Sequence, residues 1–110
     1  MPKAALSVIL LEEAVSDLSE IYDYIYGASV DPLTAERFVT RIFDFCGKIG
    51  MMPRGGRPRD DLSPGLRTFP FERRTVIAYR IVGDTVEITN IFYGGRDYEA
   101  LYRDAPGKAE

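Results

Sequence analysis

The chain has 110 residues and 12.4 kDa, with 14 Lys plus Arg against 17 Asp plus Glu, a net charge of −3, one Cys and no His. At 45% apolar and 28% charged it has the composition of one folded domain rather than a disordered segment, and its length suits one core. Without His, Ser-His-Asp and Cys-His nucleophilic systems and HExxH zinc sites are excluded, and any catalysis must use Arg, Lys, Tyr or carboxylates.

In chain order, Ala5 to Leu11 is short, β-branched and apolar, and reads as a buried strand. It is too short for a membrane span, and it ends in Glu12-Glu13 without a small-residue cleavage pattern, so no secretory signal is expected. From Glu12 to about Gly27 the period becomes helical. Ala14, Leu18, Ile21 and Ile25 share one face, Glu13, Asp17, Glu20 and Asp23 make a solvated one, and Gly27 is the expected cap. Asp31-Pro32 starts a second helix, Asp as N-cap and Pro at the first position, running to about Gly50. Its apolar stripe is Phe38, Ile42, Phe45, Cys46 and Ile49, where Cys46 reads as a small buried hydrophobe. The short connection predicts an antiparallel helical hairpin.

Met51 to Gly65 is dense in Pro and Gly and reads as a loop. Three strands follow: Leu66 to Phe71, Arg74 to Val82, and Thr85 to Tyr93. Gly83-Asp84 is a two-residue hairpin turn, and Pro70 marks an edge or a strand end. Simple alternation in the last strand sets Val86, Ile88, Asn90 and Phe92 against Glu87, Thr89, Ile91 and Tyr93. A short helix is expected over Asp97 to Tyr102, with 103–110 a tail. The expectation is an α+β single domain, 1–110, with core about 5–102 and order β-α-α-β-β-β, its helical hairpin packed on a mainly antiparallel four-stranded sheet.

Charge is unevenly divided. Residues 1–53 carry four cations against eight acids, a net of −4, whereas 54–96 carry eight Arg against five acids, a net of +3. The basic loop and sheet could bind an acidic protein segment or phosphate, but a pI of about 5.0 argues against a nucleic-acid binder.

The ordered set "AVSDLSEIYDYI", "AERFVTRIFDFCGKI", "MPRGGRPRDDLSPGLRTFPF" and "RTVIAYRIVGDTVEITNIFYGGRD" resembles the ParE branch of the RelE/ParE superfamily over about Leu6 to Tyr102. The resemblance implies a bacterial, cytoplasmic toxin of a type II toxin–antitoxin module, bound and neutralised by a cognate antitoxin in a hetero-oligomer. The residues themselves lead to expecting no cofactor, no metal site and no membrane span, and the resemblance implies that operator DNA is contacted only through the antitoxin. ParE-like members act on DNA gyrase; RelE-like members cut mRNA on the ribosome. Set against the RelE pattern, Arg67, Arg96 and Tyr102 match useful positions, whereas Phe69 stands where a Lys and Val76 where an Arg is expected. Loss of two cations from a phosphate site costs several kcal/mol of transition-state stabilisation, by analogy with ~2.7–4 kcal/mol for one oxyanion donor.

The resemblance therefore favours a non-enzymatic, protein-binding inhibitor. Its alternatives are a metal-independent endoribonuclease using Arg67, Arg96 and Tyr102, and an attenuated toxin that serves mainly as antitoxin partner. The antitoxin surface is expected at Ala14, Leu18, Ile21, Tyr22 and Tyr26, because Tyr22, Tyr24 and Tyr26 cannot all be buried by one helix. Target contacts are expected from Arg54, Arg57, Arg59, Arg67 and Arg96. Alternatively, Arg67 pairs with Asp60 or Asp61, Arg96 pairs with Asp97, and Tyr79 is a core ring with its hydroxyl near the surface.

Overall fold

The computed structural model describes residues 5–72 and 74–103. The elements are β1 (Ser7–Leu10), α1 (Glu12–Ser29), α2 (Pro32–Ile49), β2 (Arg57–Pro58), β3 (Arg67–Phe71), β4 (Thr75–Val82), β5 (Thr85–Tyr93) and α3 (Glu99–Arg103). They form an α+β fold with the order expected, but among the described residues the sheet has five strands, β1-β5-β4-β3-β2, not four. The fifth comes from the loop, where Arg57 and Pro58 pair with Thr68 and Arg67 of β3. Proline is tolerated there because β2 is an edge strand whose outer side needs no donor. β1 lies parallel to β5, and every other pairing is antiparallel. No helix among the described residues is long and apolar enough to cross a membrane.

α1 continues two residues beyond Gly27, and the left-handed residue that ends it is Val30, φ 55° and ψ 32°, whose N–H donates to Tyr26 O at 2.6 Å. Pro32 explains this: a residue before proline is kept out of the helical region, so Asp31 is extended (φ −135°, ψ 104°) and the chain must turn at Val30. Asp31 is the N-cap expected, accepting from Leu33 N at 3.1 Å and Thr34 Oγ1 at 2.8 Å. At the other end of α2, Gly50 is right-handed (φ −60°); its missing Cβ makes room for Leu6 O and the Val8 side chain of the approaching β1 segment. β1 is half-buried rather than buried. As an edge strand it turns Leu6, Val8 and Leu10 to the core and leaves Ser7 and Ile9 exposed.

The two faces of the sheet carry two cores. Ala14, Leu18 and Ile21 of α1 and Ile42, Cys46 and Ile49 of α2 pack on Ile77, Tyr79, Val86, Ile88 and Ile91. On the opposite face Leu62 and Leu66 of the loop cover Ala78 and Phe92, with Tyr98 and Tyr102 alongside. Burial pushes the Cys46 thiol up to about 12, so it is inert at neutral pH.

β5 does not alternate simply. Ala78 pairs with Asn90 but Tyr79 pairs with Ile88, leaving Thr89 as a bulge. The extra residue reverses the phase, so Ile91 joins Val86 and Ile88 under the helices while Phe92 faces the opposite core. Beyond Ile88, where β1 ends with Leu11 N bonded to Ile88 O at 2.9 Å, the outer edge of β5 is taken over by α1. Asp17 Oδ2 accepts from Ile91 N at 2.8 Å and from Asn90 Nδ2 at 3.3 Å. Asp17 is thus a clamp between helix and sheet, not part of a solvated face.

Candidate functional site

The expected antitoxin surface divides in two. Ala14, Leu18 and Ile21 are 0, 9 and 5% exposed and hold α1 to the sheet, so they present nothing to a partner. The apolar stripe read as a docking face is the core itself. Tyr22 and Tyr26, one turn apart, stack at 6.3 Å on the outer side of α1, with Tyr26 43% and Tyr24 62% exposed. Tyr24 meets the edge of Tyr93 at 5.8 Å, and Phe38 meets it from α2 at 5.5 Å. Tyr24, Ile25, Arg37, Phe38, Arg41 and Tyr93 are among the residues lining a cavity of about 620 Å³ between the hairpin and the sheet end. Arg41 stacks over Phe38 at 5.2 Å and grips Glu72 through two hydrogen bonds of 2.8 and 3.2 Å. That pairing holds the Glu72 carboxyl below its ordinary range.

The five arginines expected at the target surface have different fates. Arg59 is 7% exposed and bridges Asp61 (2.8 Å) and Glu99 (2.9 Å), with Tyr98 Oη at 3.4 Å. Its carboxylate partners, Asp61 first and Glu99 next, hold the guanidinium in its charged form. It latches α3 onto the far face, its charge met by carboxylates within the fold. Arg67 does not pair with Asp60 or Asp61. Its Nη1 donates to Arg54 O at 3.0 Å and Gly56 O at 2.8 Å, while Asp60 caps Gly65 N at 2.8 Å. Tyr79 is wholly buried; its hydroxyl donates to Pro53 O at 2.7 Å and accepts from Gly56 N at 3.0 Å. Arg67 and Tyr79 therefore pin the loop from beneath. Arg54 and Arg57 are exposed and make no salt bridge among the described residues. Arg96 is exposed with its guanidinium 5.6 Å from the Phe92 ring; Asp97 is taken by Arg103 at 3.5 Å, not by Arg96.

Arg67, Arg96 and Tyr102 are not brought together. Arg67 stands opposite Tyr79 and shares its helix-side face, whereas Tyr102 packs on Phe92 of the far face at 6.4 Å. Arg96 follows Tyr93, which pairs with Thr75, four residues along β4 from Tyr79 and so ~13 Å away at ~3.3 Å per residue. The Tyr102 hydroxyl is buried with no partner at hydrogen-bond geometry among the described residues, Thr89 being its polar neighbour, and burial raises its pKa. Phe69 stacks on Tyr79 at 5.9 Å and meets Phe45 edge-on at 5.5 Å, and Val76 packs in the far core. Sequence reasoning missed Asp17 and the Arg67–Tyr79 pair as loop and edge anchors; only the pairing of distant backbone groups reveals them.

Residues 8–98 match the family model described as ParE toxin of type II toxin-antitoxin system, parDE. The chain belongs to the ParE toxin family. The matched span runs from within β1 to just before α3. Among solved structures, a chain of the chromosomal ParDE toxin–antitoxin system from P. aeruginosa is similar, with TM-score 0.70 and 27% identity over 81% of this chain and 96% of that one. A chain of the toxin–antitoxin complex RelBE2 from Mycobacterium tuberculosis shares the fold, with TM-score 0.62 and 22% identity over 83% of this chain and 100% of the other. No curated protein matches. In this ParE-family chain the exposed Tyr24 and Tyr26 lie on α1, and Arg54 and Arg57, which make no salt bridge among the described residues, lie on the loop that carries β2.

Proposed function

We propose that this toxin acts by binding a protein, with DNA gyrase as its target in the bacterial cytoplasm, and that a cognate antitoxin neutralises it. The carrying observation is the condition of the sites a ribonuclease would need. Phe69 and Val76 are half-buried and packed against the two cores, so both positions supply apolar surface where that chemistry calls for a cation. Arg67 is occupied by two carbonyls on the other face from Tyr102. Positioning and electrostatics carry most of such a reaction, and an unassembled set supplies neither.

An antitoxin partner is supported by the similar solved structures, both from toxin–antitoxin systems. Its contact is the surface of exposed Tyr24 and Tyr26 and half-buried Tyr22, with the cavity beside Phe38 and Arg37, where amphipathic rings offer apolar area and a polar tip. Operator DNA is reached through the antitoxin and not by this acidic chain. Two assays test the reading: supercoiling by purified gyrase with added toxin, and primer extension on mRNA after induction. Inhibition at micromolar toxin, relieved by antitoxin, with no cleavage in translated codons is expected. Codon-position cleavage overturns it in favour of the endoribonuclease.

A further inference from the structure

From Phe45 to Arg59 the sequence carries Lys48, Arg54, Arg57 and Arg59 and no acid. Arg59 is neutralised by Asp61 and Glu99, but Lys48, Arg54 and Arg57 are exposed and make no salt bridge among the described residues. Of these three, Arg54 lines a cavity of about 620 Å³ together with Leu6, Met51, Met52, Pro53 and Ile81, among others, and Arg57 follows it three residues on in the same loop. Met51 is 76% and Met52 39% exposed. Methionine is a side chain suited to fitting varied apolar partners.

This loop is held in place. Three of its four consecutive residues from Pro53 to Gly56 have a backbone group bonded by Arg67 or Tyr79 from below. A pinned loop loses little further entropy when something docks on it. We infer that it is the docking surface for an acidic peptide segment of the toxin's target, whose apolar side chain enters the methionine-lined cavity and whose carboxylates meet Arg54 and Arg57. The inference rests on the reading that the toxin acts by binding a protein. Nucleic acid fits less well: the cavity lining holds no aromatic ring to stack a base, and the chain as a whole carries −3. The surface is also separate from the tyrosines. It follows the C-terminal end of α2, whereas Tyr22 and Tyr26 lie near the end of α1 that meets the α2 N-terminus, and the 18 residues of α2 span ~27 Å.

The test is selection of a phage-displayed random 12-residue peptide library on the purified toxin and on its Arg54→Glu/Arg57→Glu double variant. Selected peptides are expected to combine Phe, Leu or Met with flanking Asp and Glu, and to bind the double variant at least tenfold more weakly. Met51→Ser/Met52→Ser is expected to weaken the same peptides. Both variants keep the wild-type Tm and antitoxin affinity, and the charge-reversed one loses growth arrest. Peptides without acidic enrichment, or equal affinity for the double variant, overturn the inference. So does a fluorescein-labelled 20-nucleotide DNA whose binding is lost in the double variant while no acidic peptide is selected. A wild-type toxin that arrests no growth removes the proposed function instead, and the peptide selection then decides the surface alone.

Discussion

Tyr79→Phe isolates the hydroxyl that pins the loop. The ring is wholly buried and stacked on Phe69, so the variant keeps its apolar packing and loses only two hydrogen bonds, to Pro53 O and from Gly56 N. Gly56 is buried, and its N–H donates to the Tyr79 hydroxyl, so removing that oxygen strands a buried donor. Stranding a buried donor costs ~1–3 kcal/mol, and Pro53 O, partly exposed, recovers some hydration. The expected loss is about 2 kcal/mol, near 8 °C in Tm for a domain of this size. Urea unfolding followed by far-UV circular dichroism should show it with an unchanged m-value, and the Gly56 amide should exchange faster. There is also a pH signature. Burial raises the Tyr79 pKa above its ordinary 10.0, so its contribution is complete below pH 10 and falls as pH rises through the folded value, because the unfolded chain ionises first. The variant lacks that component of the alkaline loss. A change under about 0.5 kcal/mol with Gly56 protection intact would refute the pinning argument.

Asp17→Ala should destabilise the toxin by about 1–2 kcal/mol in urea unfolding, with Asp17→Asn partly restoring it, since Ile91 N–H then has an acceptor again. Asp31 is held below its ordinary 3.8 by the Thr34 hydroxyl first and the Leu33 amide next. The stability it confers is present above pH 3.8 and lost as pH falls through the lower folded value; Asp31→Asn should flatten that part of a Tm-against-pH curve. Val30→Asn should raise stability by about 0.5–1 kcal/mol, read as a higher urea midpoint, because a β-branched residue at φ 55° is strained and Asn tolerates that region.

The local rules were sufficient wherever one segment decides its own conformation. Asp31-Pro32 is a helix start in any context, because the carboxylate caps free amides and the proline needs no donor. Gly83, with φ 60°, makes the two-residue turn that joins Val82 to Thr85, as its position between two apolar runs announced. Helical periodicity likewise named the residues that pack on the sheet, but periodicity cannot tell a core stripe from a docking stripe. Ala14, Leu18 and Ile21 were legible as an apolar face, and only the sheet beneath them made that face interior.

The remaining decisions belong to contacts between residues far apart in the chain. Nothing in Ile88-Thr89-Asn90-Ile91 marks the bulge, since each residue suits a strand on either face; it is the pairing with Ala78 and Tyr79 that skips Thr89 and turns Phe92 over. The arginines look equivalent in sequence because charge is a property of the residue, whereas availability depends on which carbonyl or carboxylate the fold brings within about 3 Å. By that criterion Arg59 and Arg67 became part of the scaffold, whereas Arg54 and Arg57 make no salt bridge among the described residues. The acidic, His-free composition narrowed the chemistry before any fold was known, and the ordered elements carried the family. Which cations face solvent was settled only by packing, because desolvation forces a buried guanidinium to find partners, whereas an exposed one keeps its hydration.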